Sequence, residues 1–212
     1  MGLVRTSPPT VEPVSVSEAK VHLEAIDSTH DTMLSLLIAA ARQYAESYCN
    51  RSFITQSWRL TLDAFPGRWD QSMSPAGVSF SLPRNAVLLE RAPIQSVDAI
   101  TYTDMGGVER VIDSPGSPDY AIDLSGSLGR MTPGFGRIWP ITLPQIGVVS
   151  IDYTAGYGDA ATDVPELIRN WIMVRVNTMF ENREEVAVLQ RGTVSALPHV
   201  DRLLDEFRVI TA

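Results

Sequence analysis

The sequence predicts an α+β protein: mainly an α-helical bundle, N-terminal helices packed with C-terminal helices, with an inserted β-rich region. Three observations predict it. Apolar residues recur at helical spacing up to about residue 50 and again from about residue 164. Between these, over about 52–158, apolar and polar residues alternate and Gly and Pro punctuate the chain, as in short strands joined by turns. The order helix, helix, strands, helix, helix is met most simply by flanking helices that pack together.

Residues 1–13, with three prolines and several hydroxyl residues, read as a flexible N-terminal arm, and 14–212 as one domain. Ser15-Val16-Ser17-Glu18 is a capping box. Reciprocal bonding between its first and last residues satisfies two helix-start donors, and a helix through about Ala25 should follow. After Asp27-Ser28-Thr29 a longer helix places Met33, Leu34, Leu37, Ala40, Ala41, Tyr44, Ala45 and Tyr48 on one stripe, and Asn50 stops it. The small residues Ala39, Ala40 and Ala41 allow another helix to approach closely.

From Ser52 the period changes. Trp58, Leu60 and Leu62 alternate with Arg59, Thr61 and Asp63, which defines a strand with one buried face, ended by Pro66-Gly67. An exposed loop carrying Trp69 spans about 68–77. Ile94 to Thr103 is a strand, Met105-Gly106-Gly107 a hairpin turn and Val108 to Ile112 the return. Tyr120 to Leu124 and Val148 to Tyr153 complete the set. Asp163 then caps, and Pro165 opens, a strongly apolar helix that runs through Leu167, Trp171 and Val176 to about Asn182. A shorter terminal helix, about His199 to Phe207, gathers Leu203, Leu204 and Phe207 on one face.

Charge restricts the function classes. The chain carries 17 basic and 25 acidic residues, a net charge of -8, with no basic tail or stripe. Gripping DNA through phosphate neutralisation needs clustered Lys and Arg, and Lys20 is the sole lysine. Cys49 is alone, so neither an intrachain disulfide nor a cysteine metal cluster is available. No apolar run approaches the ~20 residues of a membrane span, and the start lacks the regions of a signal peptide.

The residues that might carry chemistry read better as structure. His22, His30 and His199 have no zinc-ligand spacing. Gly156-Tyr157-Gly158 lacks the rest of a phosphate-binding fingerprint and reads as a strand-end turn. Glu181, Glu184 and Glu185 read as a solvated helix end, and Ser195 with His199 lacks a nucleophile elbow. Asp152, Asp159 and Asp163 are too irregular for a calcium loop. No catalytic, cofactor-binding or metal-ligating residue is predicted.

Several stretches in order carry a resemblance. They are Ser15-Val16-Ser17-Glu18-Ala19-Lys20, Leu37-Ile38-Ala39-Ala40-Ala41-Arg42, Cys49-Asn50-Arg51, Phe53-Ile54-Thr55-Gln56 and Phe65-Pro66. Further on come Pro93-Ile94-Gln95-Ser96-Val97, Tyr153-Thr154-Ala155-Gly156-Tyr157-Gly158, Val164-Pro165 and Phe180-Glu181-Asn182-Arg183-Glu184. The series resembles the head–tail connector (adaptor, or head-completion) family of tailed bacteriophages and gene transfer agents, over roughly residues 14 to 208. The segment Arg68 to Asn85 is longer than that pattern.

The resemblance implies a helical domain with a β insertion and a structural role without catalysis. It implies a homo-oligomeric ring of about a dozen copies beneath the portal protein, a heterologous cyclic assembly. The ring would extend the DNA channel without sequence-specific binding and dock a stopper or tail-completion protein. The place implied is the head–tail junction of a virion whose parts are made in a host cytoplasm. The portal contact is expected at Leu203, Leu204, Phe207 and Ile210, an apolar face near the end of the chain. Tail-side or neighbour contacts are expected at the loop tryptophans Trp69 and Trp139. Competing readings are a soluble α+β binding module, a small enzyme, or another neck component such as a stopper or tail terminator.

Overall fold

The computed structural model describes residues 1–24, 27–67, 85–112, 119–126, 128–181, 200 and 202–209. Its elements in chain order begin with β1 (Gly2–Ser7), α1 (Val16–His22), α2 (Asp31–Cys49) and β2 (Gln56–Leu62). Next come β3 (Val87–Leu89), β4 (Ile94–Thr103), β5 (Glu109–Ile112), β6 (Tyr120–Asp123) and β7 (Gly129–Pro133). The series closes with β8 (Val149–Ala155) and α3 (Glu166–Glu181), and a single 3-10 turn at Asp205–Phe207 follows.

Local chemistry sets the helix ends. The Glu18 amide donates to Ser15 Oγ at 3.2 Å and the Ser15 amide to Glu18 Oε2 at 2.8 Å, so both halves of the capping box form. Before α2, Asp27 caps a 3-10 turn at Ser28–His30, accepting from the Thr29 amide at 3.0 Å. Asn50 takes the left-handed conformation, φ 52°, and stops α2 as its sequence position suggests. The α1 helix is shorter than expected: Leu23 caps it, and Glu24 has φ 53°.

The strands form two antiparallel sheets. The larger has the order β1-β2-β8-β4-β5, the smaller β3-β7-β6. Along β8, Val149, Ile151, Tyr153 and Ala155 are buried while Ser150, Asp152 and Thr154 lie on the other, more open face. The buried set joins Leu60, Leu62 and Ile100 of the large sheet and Leu89 and Met131 of the small one in a single apolar cluster. A second cluster joins α2 and α3 through Leu34, Ile38, Ala45, Trp171, Ile172 and Val176, with Phe53 and Ile54 at its border.

The expectation of a mainly helical bundle does not hold. Among the described residues there are three α-helices against eight strands, and the strands build two sheets with a core of their own. The protein is a mixed α/β structure in which the β part is an equal partner. The physical reason is that β8 buries one whole face and β2 and β4 add Leu60, Leu62, Ile94, Val97 and Ile100 to the same cluster, so the sheets have an apolar core of their own. Nor is all of segment 1–13 an arm. Residues 2–7 pair with β2 as an edge strand, Leu3 opposite Leu60 and Arg5 opposite Trp58.

Two of the passages of the chain between the two cores, from α2 to β2 and from β8 to α3, run side by side. The Thr55 amide donates to the Gly158 carbonyl at 3.0 Å, and the Tyr157 amide to the Phe53 carbonyl at 3.0 Å. The Gly156 amide donates to the Pro93 carbonyl at 2.8 Å. Gly156 has φ 145°, and a Cβ there would lie 2.5 Å from the Thr55 nitrogen, so only glycine fits this crossing.

Candidate assembly surfaces

The terminal segment closes against the end of α2. Val200 and Arg202 are helical, and Leu204 is buried in the helical cluster with Leu203 and Phe207 half-buried beside it. The Val209 amide donates to the Cys49 carbonyl at 2.9 Å, Arg51 Nε to the Phe207 carbonyl at 2.6 Å, and Tyr48 Oη to Asp205 Oδ1 at 2.7 Å. The Arg208 guanidinium sits 5.1 Å from the Tyr48 ring centroid. Cys49, covered by this strap, donates its thiol to the Leu204 carbonyl at 3.8 Å, and burial pushes the thiol up to about 11. Of the expected portal-contact residues, Leu204 is therefore an anchor inside the fold, and Leu203 and Phe207 keep part of their surface outward. Ile210 lies outside the described residues.

The opposite end of the large sheet carries the second surface. Trp139 is only 8% exposed; its ring stacks on Phe65 at 4.7 Å and its Nε1 donates to the Asn85 carbonyl at 2.7 Å. The outward apolar groups on this loop are instead its neighbours Phe135, Ile138, Ile141 and Ile146. A cleft of about 930 Å³ lies along it, walled by Phe65, Pro66, Ile138, Ile141 and Pro144. Its two charged lining side chains are engaged: Asp63 accepts from the Gly147 amide at 2.9 Å and Arg137 pairs with Asp119 at 2.6 Å. The cleft is thus suited to apolar contact rather than to proton transfer. Trp69, the other loop tryptophan of the sequence reading, lies outside the described residues.

The sequence reading missed the isoleucines around Trp139. A signal was present: from Gly134 to Val149 only Arg137 is charged, an uncharged run with no helical or strand period. Trp58 and Trp171, expected in the core, are half-buried and fully buried respectively. His22 is exposed, and His30 meets Phe180 edge-on at 5.4 Å. Glu184, Glu185, Ser195 and His199 lie outside the described residues. Among the described residues no group of His, Cys, Asp and Glu is arranged to hold a metal ion, and no helix is long and apolar enough to cross a membrane.

The sequence model of the family "Phage gp6-like head-tail connector protein" matches residues 13–101. Over that stretch the chain carries the head–tail connector pattern. The matched segment holds α1, α2, β2, β3 and most of β4. A chain in the "Neck of empty GTA particle computed with C6 symmetry" is 22% identical, with a TM-score of 0.74 and coverage of 100% of this chain and 97% of that one. A chain in the "Virion of native gene transfer agent (GTA) particle" is 21% identical, with a TM-score of 0.76 and the same coverage of 100% and 97%. A third, in the "Neck of native GTA particle computed with C12 symmetry", is 23% identical at a TM-score of 0.65, again covering 100% and 97%. At these identities the likeness establishes the fold, and it spans both cores. No curated protein matches the sequence.

Proposed function

We propose that the chain is a structural neck protein: a head–tail adaptor that forms a closed ring under the portal, extends the DNA channel and docks the next neck or tail component. One coincidence carries this reading: the connector pattern over residues 13–101 and a full-length fold shared with chains of gene transfer agent particles, two of them in neck structures. Those neck structures were computed with C6 and C12 symmetry, which supports a cyclic arrangement of copies of this chain as well. The net charge of -8 suits a channel wall along which DNA slides without adhering.

In this reading the single adaptor domain has two working ends. The strap that carries Leu203 and Phe207 meets the portal, with Leu204 holding it to the fold and Ile210, next but two after Phe207 in the sequence, sharing the contact. The loop of Ile138 and Ile141, set in place by buried Trp139, meets the tail-side component. The work is done by contact, and no catalytic step is assigned.

Electron microscopy of particles made with this gene alone disrupted tests the reading. Free tails beside heads that leak or lack DNA are expected. Intact, infectious particles would overturn it.

A further inference from the structure

We infer that strand β1 is an exchange arm. In the assembled ring the Gly2–Ser7 strand of each copy pairs with β2 of the next copy, in the register it takes here on its own. The inference rests on the neck-ring reading above and adds to it the contact that joins neighbouring copies.

The arm is tied to the two cores very unequally. Its root is fixed in the helical half. Val14 is buried in that cluster, the Pro13 carbonyl accepts from Arg169 Nε at 3.0 Å, and Glu12 accepts from Arg42 Nε at 2.6 Å. The tip is held far more lightly. Within β1 only Leu3 is half-buried, against the sheet cluster, and the other five residues are exposed. Arg5 reaches Gln56 at 3.5 Å, a long and weak hydrogen bond. The strand is thus held mainly by its ladder, from Gly2 opposite Thr61 to Ser7 opposite Ser57. Any copy of β2 offers that ladder equally. Between root and tip, residues 8–11 belong to no helix or strand, and Pro8 and Pro9 favour an extended stretch of ~3.1 Å per residue. Turning the tip to a neighbour trades one ladder for an identical one and leaves the root in place.

Charge favours the exchanged form. Residues 1–11 carry one cation, Arg5, and no carboxylate, so all 25 acidic residues lie in the rest of the chain. Two such acidic bodies repel each other when set side by side. Exchange lays the cationic arm of one copy on the acidic body of the other; retention leaves each arm where it does nothing for the contact. The ladder is the same in both forms, so this difference and the high local concentration in a ring decide between them. Exchange of an identical element is a low-cost route to association, because the two surfaces already match. Passed head to tail around a circle, the arms cover every β2 edge and leave none open to stray pairing.

Disulfide trapping tests the inference, because one cysteine pair reports which copy owns the strand. Val4 and Arg59 are register partners and both are exposed, while the native Cys49 is buried. Val4→Cys is combined with Arg59→Cys, and particles carrying the double variant are oxidised with copper phenanthroline and run on a denaturing gel without reductant. The expected result is a ladder of linked copies that extends beyond the dimer and is absent from either single variant. The isolated double variant should instead close its disulfide within one chain. Should this variant fail to fold, Gly2→Cys with Thr61→Cys asks the same question at the next open pair, where a Cβ on residue 2 meets nothing within 4 Å. Internally linked monomers in particles, a dimer as the largest product, or no link where the isolated chain does link, each overturns the exchange. Absence of the unaltered chain from normal particles, in contrast, sinks the neck-ring reading itself, and the inference falls with it.

Discussion

Arg42 and Glu46, one turn apart on α2, form a buried ion pair at 2.8 Å inside the helical half of the protein. Glu12 reaches Arg42 from the other side at 2.6 Å, and Glu46 also accepts from the Phe53 amide at 3.0 Å and from Gln56 at 2.5 Å. The network ties the segment before α1, the body of α2 and the start of β2 together. Arg42→Ala leaves Glu46 buried without its cation, and such breaks cost about 3–5 kcal/mol. Urea unfolding should show that loss. Glu46→Gln, which still accepts from the Phe53 amide, should lose clearly less.

At the far end, Trp139 and Ile138 are neighbours with opposite roles. Trp139→Ala removes a buried ring from its stack on Phe65 and should lower stability by about 3–5 kcal/mol. Ile138→Asp changes an exposed side chain and should leave stability within about 0.5 kcal/mol of the parent. Calorimetry separates the two. In particles, Ile138→Asp should yield filled heads that fail to join tails.

Cys49 offers a clean probe of the terminal strap. Its thiol is buried and pushed up to about 11, so little thiolate exists at neutral pH. A thiol reagent at pH 8 should label the folded protein at least about 100-fold more slowly than the urea-unfolded one. Truncation after Leu197 removes the strap and should raise the native rate toward the unfolded one. If the truncated protein is also folded and absent from portals, the strap serves assembly; if it is misfolded, the strap serves the fold.

Acid should release the Asp123 turn only well below neutrality. Ser125, through its hydroxyl and amide, and then Arg130 hold the Asp123 carboxyl at about 2, below its ordinary 3.8. A depressed carboxylate contributes stability above its unfolded value and loses it as pH falls through the folded one. The contribution is therefore full above pH 3.8 and fades toward about 2. Melting temperature against pH should decline across that window, and Asp123→Asn should flatten the decline.

Much of the helical half was legible because its signals are local. The Ser15 capping box, the stop at Asn50 and the Pro165 opening all act within a few residues of themselves. Strand β4 is read at its full length, Ile94 to Thr103, for the same reason: Gly and Pro bound it. What escaped depends on distant partners. Nothing within Gly2–Ser7 announces a strand, since its partner Trp58-Arg59-Leu60 lies more than fifty residues away. The balance of the fold was misjudged likewise, because the second sheet exists only once β3, β6 and β7 find one another. At the surfaces, the sequence drew attention to Trp139 as the largest side chain on its loop. Size made it the residue that folds inward, and left the isoleucines outside.

The double crossing between the two cores has a mechanical consequence. Thr55 with Gly158 and Tyr157 with Phe53 bind two adjacent segments to each other by backbone hydrogen bonds. Separating the two segments means breaking both of these bonds. In the proposed ring the two segments would act as one stiff link between the surfaces assigned to portal and tail, and Gly156 is small enough to let that link be made.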